Sequence, residues 1–204
     1  CVGHCKRVKG DTGLKFVLIP DSFKGTLGSG QICRIMEEKI KAHVPDSQTV
    51  SIPVADGGEG SVDAFITAVG GSREYVTVKN PYFEDMQSYY GLIDGGKTAV
   101  IEMASCAGLP LVEDRKNPEL TTTYGVGQLI LAAAGRGVEK IIVGLGGSST
   151  NDGGCGAAAA AGIRFYDKEG KEFIPTGGTT ARIADIALSG RSSLLDRVEI
   201  ITMC

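Results

Sequence analysis

Apolar residues in this chain gather in short runs, and most runs end in a glycine-bearing polar segment. Residues 15–20 read as a strand followed by a polar loop at 21–26. Over residues 29–43, Ile32, Ile35, Met36, Lys39 and Ile40 recur at helical spacing, with Ser29 placed to cap and Pro45 just past the end. Val50, Ile52 and Val54 alternate as a strand, and residues 55–61 form a second glycine loop. Val62, Phe65, Ile66 and Val69 then give a helix that Gly70 and Gly71 stop. Strand, loop and helix twice over predict a parallel α/β sheet. From 72 to 103 the period changes. Residues 75–79, 87–93 and 98–103 read as strands, the last two joined by Asp94-Gly95-Gly96-Lys97, a hairpin signal. This stretch is expected to be antiparallel and to mark a second subdomain. Beyond it, Thr121, Thr122 or Thr123 can cap a helix bearing Val126, Leu129, Ile130 and Ala133. A hairpin is expected around 167–170, a helix near 180–188 and a strand at 198–203.

The most informative stretch is residues 141–154. Ile141, Ile142 and Val143 read as a short buried strand that runs into Gly144, Leu145, Gly146, Gly147, Ser148, Ser149, Thr150, Asn151, Asp152, Gly153 and Gly154. Glycines let backbone N–H groups approach an anion closely. The alanine-rich residues 157–161 predict a helix whose positive end this loop opens. A phosphate or carboxylate site is expected, with Gly144, Gly146, Gly147, Ser148, Ser149, Thr150 and Asn151 as its binding residues. A tight turn alone would account for the glycines but not for the run of hydroxyl, amide and carboxylate side chains.

Three polar loops, at 21–26, 56–61 and 144–154, share one place in this architecture. Each follows a predicted strand, where open α/β sheets bind ligands. Phosphoryl transfer needs N–H groups for phosphates, a cation for the transferring group, and carboxylates to hold Mg²⁺ or orient a hydroxyl. Lys24 is the candidate cation. Asp21, Asp56, Glu59 and Asp152 are candidate metal or base residues, and Ser22, Gly57, Gly58 and Glu59 are candidate substrate contacts. Capping or turn formation explains any single Asp equally well, and a solvated loop explains Lys24. The same chemistry in three loops argues for a site. Residues 102–106 end a strand and suit either the wall of that site or simple burial.

Composition narrows the class. With 42% hydrophobic and 22% charged residues, the chain of 204 residues can bury a real core, in one large or two small domains. A net charge of −3 and the lack of a basic cluster leave no electrostatic footprint for nucleic acid. No apolar run is long enough to span a bilayer or to form a signal-peptide core, so a cytoplasmic protein is expected. Six cysteines are scattered, and Cys1, His4 and Cys5 lack the second ligand pair of a zinc site, so free thiols are expected. Neither a Gly-x4-Gly-Lys-Ser/Thr motif nor a Gly-x-Gly-x-x-Gly opening the first β–α unit occurs. The only histidines are His4 and His43, which gives a Ser-His-Asp hydrolase little support. Residues 1–13 are polar and aperiodic, and the last strand has no loop after it; a fragment without activity of its own is expected.

The motifs Pro20-Asp21-Ser22-Phe23-Lys24-Gly25, Ala55-Asp56-Gly57-Gly58-Glu59-Gly60 and residues 144–154 resemble the signatures of the bacterial glycerate kinases of glycerate, glyoxylate and sugar-acid catabolism. The resemblance runs from about Lys15 to the end. It implies ATP-dependent phosphorylation of D-glycerate with Mg²⁺, with phosphorylation at carbon 2 favoured over carbon 3. It also implies an α/β fold with a Rossmann-like parallel sheet and a second, flavodoxin-like α/β domain, here truncated. The expected divisions are an atypical leader at 1–14 lacking order, a Rossmann-like part at 15–80, and an incomplete flavodoxin-like domain at 81–204. Family members continue for about the same length again. A kinase for another small hydroxy acid, or an inactive anion- or nucleotide-binding fragment, is the alternative. Oligomeric state is left open.

Overall fold

The computed structural model describes residues 13–23 and 25–204, so Lys24 and the leader up to residue 12 lie outside the described residues. The chain divides into two compact units, Cys1–Ala55 and Asp56–Cys204. The division expected at residue 80 falls inside a hairpin of the larger unit.

In the smaller unit, β1 (Lys15–Leu18), α1 (Ser29–His43) and β2 (Gln48–Ser51) make one parallel β–α–β motif, with Val17 opposite Val50. The cap of α1 is Gly28, whose N–H donates to Gln31 Oε1 at 3.1 Å. Ser29 has other work: its hydroxyl donates to the Pro20 carbonyl at 2.6 Å and accepts the Val54 N–H at 3.0 Å. The buried stripe of α1 holds Ser29, Ile32 and Cys33, while Ile35 and Met36 remain exposed. A sheet of two strands covers only a narrow stripe of the helix, so part of the apolar face is left over. His43 ends the helix with Nδ1 2.8 Å from the Lys39 carbonyl, as its position predicts.

The larger unit runs α2 (Ser61–Val69), β3 (Ser72–Lys79), β4 (Asp85–Ile93), β5 (Thr98–Glu102), α3 (Ala104–Ala107), α4 (Tyr124–Gly135), β6 (Lys140–Gly144), α5 (Cys155–Ala160), β7 (Arg164–Tyr166), β8 (Glu172–Phe173), β9 (Asp185–Ala187) and β10 (Glu199–Met203). Its main sheet has the order β10-β6-β5-β4-β3. β10, β6 and β5 run parallel, and β4 and β3 are antiparallel additions; the parallel pair expected from residues 15–69 is the separate β1-β2 sheet, and the antiparallel stretch expected at 72–103 is β3-β4-β5 of this one. The fold is therefore mixed α/β.

Every residue of β5 is buried, because the strand is covered on both faces. On one face Ala99 and Ile101 meet Val126, Leu129 and Ala133 of α4; on the other Val100 packs with Val62 of α2 and Ile93. Each large aliphatic chain buried this way contributes about 1.5–3 kcal/mol. Gly127 lets α4 and α5 touch backbone to backbone, since a Cβ there would sit 2.3 Å from the Ala157 carbonyl oxygen.

The helix expected near 180–188 does not form. A short 3₁₀ turn at Thr180–Arg182 leads into β9, which pairs antiparallel with β7 in a small sheet ordered β8-β7-β9. Ile183 and Ile186 lack helical partners, and pairing with β7 satisfies the backbone instead. Asp167 organises the neighbouring β7–β8 hairpin: Oδ1 accepts the N–H groups of Lys171 at 2.9 Å and Glu169 at 3.2 Å, and Oδ2 meets Arg182 at 3.1 Å. These donors, the Lys171 N–H foremost, hold its carboxyl below the ordinary value of 3.8. A lowered carboxylate stabilises the fold above its unfolded value and loses that contribution as pH falls toward its folded one. Asp167→Asn is therefore expected to lower stability most at neutral pH. The gap from the parent, read from urea midpoints, should close as pH falls below 3.8.

Candidate active site

Parallel strands deliver their carboxyl ends to one edge of the sheet, so β5, β6 and β10 end side by side at Glu102, Gly144 and Met203. The loop after β6 is fixed there by its own backbone. Leu145 N–H donates to the Met203 carbonyl at 2.9 Å and Gly146 N–H to the Gly57 carbonyl at 3.2 Å. Loops 56–60 and 144–147 lie so close that a Cβ on Gly144 would come within 2.2 Å of the Gly57 carbonyl oxygen, and one on Gly146 within 2.7 Å of the Gly58 nitrogen. The structure thus brings two of the three expected loops together. The backbone contact gives Gly144 and Gly146 packing roles.

Asp152 is the largest departure. It is 1% exposed, enclosed between α4 and α5. Oδ2 accepts the N–H groups of Thr123 at 2.8 Å and Gly156 at 3.0 Å, together with the hydroxyls of Thr123 at 2.9 Å and Thr122 at 3.3 Å. Oδ1 accepts the Gly154 N–H at 3.1 Å. The helix start that the sequence offered to a phosphate is occupied by the protein's own carboxylate. Asp152 is thus a clasp, a structural role beside the metal or base role expected of it. Thr123 Oγ1 extends the clasp by accepting the Ala157 N–H at 2.9 Å. The threonine run read as a helix cap in fact serves this long-range partner; no local pattern marks it.

Ser149 is likewise structural, since its N–H and hydroxyl both donate to the Ala107 carbonyl, at 2.8 and 2.9 Å. Of the remaining residues, Gly147 and Asn151 are exposed and Ser148 and Thr150 half-buried. Ser148 and Thr150 pair through their hydroxyls at 2.8 Å, and Gly147 takes φ +72°. Among the described residues, the N–H groups of Gly147 and Ser148 donate to no other group. An N–H pair beside hydroxyl and amide groups is chemically suited to an anion.

In the facing loop, Asp56 Oδ1 accepts the Gly58 N–H at 3.1 Å, and Gly57 and Gly58 are buried while Asp56 and Glu59 are exposed. Among the described residues no three His, Cys, Asp or Glu side chains converge as a metal cage. Mg²⁺ in phosphoryl transfer keeps waters and phosphate oxygens and needs only one or two carboxylates, which Asp56 and Glu59 can supply. Asp21 and Ser22 belong to the smaller unit, where Asp21 Oδ1 accepts the Ser22 N–H at 2.7 Å. Lys24 lies outside the described residues. Burial pushes the Cys106 thiol up to about 12, which suits packing rather than nucleophilic attack.

The sequence model described as the Glycerate kinase family matches residues 16–204, nearly the whole chain. The chain belongs to the glycerate kinase family. The Bacillus subtilis (strain 168) glycerate kinase is 41% identical over 192 residues, covering 94% of this chain and 50% of the relative. The Escherichia coli (strain K12) glycerate 2-kinase is 42% identical over 178 residues, covering 87% and 47%. A crystal structure from Salmonella typhimurium LT2, of a protein regarded as glycerate kinase 2, superposes with a TM-score of 0.78 at 37% identity. That match covers 94% of this chain and 52% of the other. The chain spans about half the length of the curated relatives it matches. No helix among the described residues is long and apolar enough to cross a membrane.

Two substitutions test the architecture on which this family site stands. Asp152→Asn keeps size but turns one amide N–H₂ toward buried N–H donors, so it is expected to cost about 2 kcal/mol or more. Gly144→Ala forces a methyl into the Gly57 backbone and is expected to cost about 1–3 kcal/mol. Denaturant midpoints measure both; an unchanged midpoint in either variant would remove the corresponding contact from the account.

Proposed function

We propose that this chain contributes to ATP-dependent phosphorylation of D-glycerate, with 2-phosphoglycerate as product and Mg²⁺ as the metal. The observation that carries the reading is the family match over residues 16–204, supported by the relative described as glycerate 2-kinase. The geometry is compatible with it. Gly147 and Ser148 offer N–H groups to phosphate oxygens, with Ser148, Thr150 and Asn151 as side-chain donors. Asp56 and Glu59 would hold Mg²⁺ or orient the attacking hydroxyl. Bound there, Mg²⁺ would neutralise charge on the transferring group.

In the same reading Asp21 and Lys24 act in catalysis and Ser22 contacts substrate; Lys24 would offset phosphate or carboxylate charge. Gly57 and Gly58 contribute the shape of the loop that carries Asp56 and Glu59. Asp152 contributes by holding α4 and α5 together. Another small hydroxy acid remains the competing substrate, separated from glycerate by assay.

The test uses the chain extended to its relatives' length, with ADP release followed in the presence and absence of D-glycerate. ³¹P NMR of the product distinguishes the carbon-2 from the carbon-3 ester. Asp56→Asn and Lys24→Met are each expected to lower kcat/KM at least about tenfold, equivalent to about 1.4 kcal/mol of transition-state stabilisation. Asp56 is exposed and outside any helix or strand, so the melting temperature of Asp56→Asn should move by no more than about 2 °C. ADP release indifferent to D-glycerate would overturn the substrate, and unaltered kinetics in both variants would overturn the site.

A further inference from the structure

Glu102 ends β5 and is 1% exposed, yet it lies among apolar neighbours on a strand buried along its full length. A carboxyl group is costly in such a place unless donors meet it. Its Oε1 accepts the Val62 N–H at 2.6 Å, a partner 40 residues earlier in the sequence, and its Oε2 accepts the Tyr89 hydroxyl at 3.4 Å. The Gly60 N–H also faces it. Val62 is in the first turn of α2, whose backbone N–H groups have no partner within the helix. Burial raises the carboxyl above its ordinary value, and the Val62 and Gly60 N–H groups oppose that rise.

The segment just before α2 is the loop bearing Asp56 and Glu59. Gly57, Gly58 and Gly60 give that loop no side chains with which to anchor itself, and Gly57 and Gly60 take φ +85° and +90°. Asp56 Oδ1 takes the Gly58 N–H at 3.1 Å and the Ser61 hydroxyl donates to the Gly58 carbonyl at 2.8 Å; where that turn sits depends on what holds its ends. One hold is the contact of Gly57 with Gly146. The other is the start of α2, where Glu102 grips the backbone from below. At the surface Arg73 reaches Asp63 with Nε at 3.0 Å while its guanidinium covers the Tyr89 ring at 4.7 Å.

We propose that Glu102 is a positioning residue, which fixes the 56–60 loop against the glycine loop after β6 by accepting the amide hydrogens at the start of α2. Its consequence for turnover rests on the phosphoryl-transfer reading; its hold on the loop does not, so the two can fail separately. Hydrogen exchange of the 204-residue chain reads that hold without any assay of activity. Glu102→Met keeps side-chain length but removes the acceptor, and it is expected to speed amide exchange at residues 57–62 by about tenfold or more, the order expected when a buried donor loses its partner. Amides of β4 and β5 should keep the parent's exchange rates. Glu102→Gln retains an acceptor oxygen in place and should keep the loop within about threefold of the parent, well short of the loss expected for an unpaired donor. Equal exchange at 57–62 in the Met variant and the parent would overturn the proposal, as would a rise spread evenly over β4, β5 and the loop. If the Met variant does not fold, Glu102→Asp decides: it keeps the acid but draws the acceptor back by one methylene, so faster exchange confined to 57–62 supports the role and parent-like exchange there sinks it.

Discussion

A buried carboxylate is tolerable only where several donors converge on it, and helix starts are places where unpaired N–H groups point the same way. The larger unit uses this pairing twice along one edge of its sheet. Asp152, after β6, gathers the first amides of α5 and the threonine that opens α4; Glu102, at the end of β5, takes the first turn of α2. Removing either acid would strand amides that have no other partner in the interior. These two acids tie the starts of three helices to the strand ends of that edge.

The glycines add a second constraint of the same kind. Where loop 56–60 meets loop 144–147, the two backbones are in contact, and Gly57, Gly144 and Gly146 are small because their neighbour is main chain. A loop held by main-chain contact and by carboxylates at helix starts has few degrees of freedom left. Such rigidity is what a positioned group requires, because a displacement of about 1 Å in one can cost on the order of a hundredfold in rate. It also means that residues which never face a ligand can govern the place of those that do.

Much of the fold was legible in the sequence because local periodicity and tertiary packing agree. The apolar alternation at 87–93 and 98–102, the Asp94-Gly95-Gly96 turn and the face of α4 are all where the pattern put them. Agreement failed where partners are remote. Ile35 and Met36 follow helical spacing but find no sheet to cover them, and residues 185–187 become a strand only because β7 offers an edge. The candidate site divides in the same way. That residues 56–61 and 144–154 belong together could be read from their shared chemistry. Which of their residues turn inward could not, since the partners of Asp152, at Thr122 and Thr123, stand about thirty positions earlier in the chain.

The inward and outward sorting of one loop also explains why its composition misleads. Ser149 and Asp152 look like ligand-binding residues when read in a row with Ser148, Thr150 and Asn151. A loop that must present donors on one side while sealing two helix ends on the other needs polar side chains on both faces. The same residue types serve both purposes, because an amide of the protein and an oxygen of a phosphate are complementary to opposite halves of the same hydrogen-bonding vocabulary. The buried carboxylate matches amides of the interior and Ser149 a carbonyl there, while the Gly147 and Ser148 amides are left for an anion outside. Charge therefore separates the two roles better than polarity does. In this loop the one acidic side chain is the buried one, and the side that faces outward carries no negative charge to repel a phosphate.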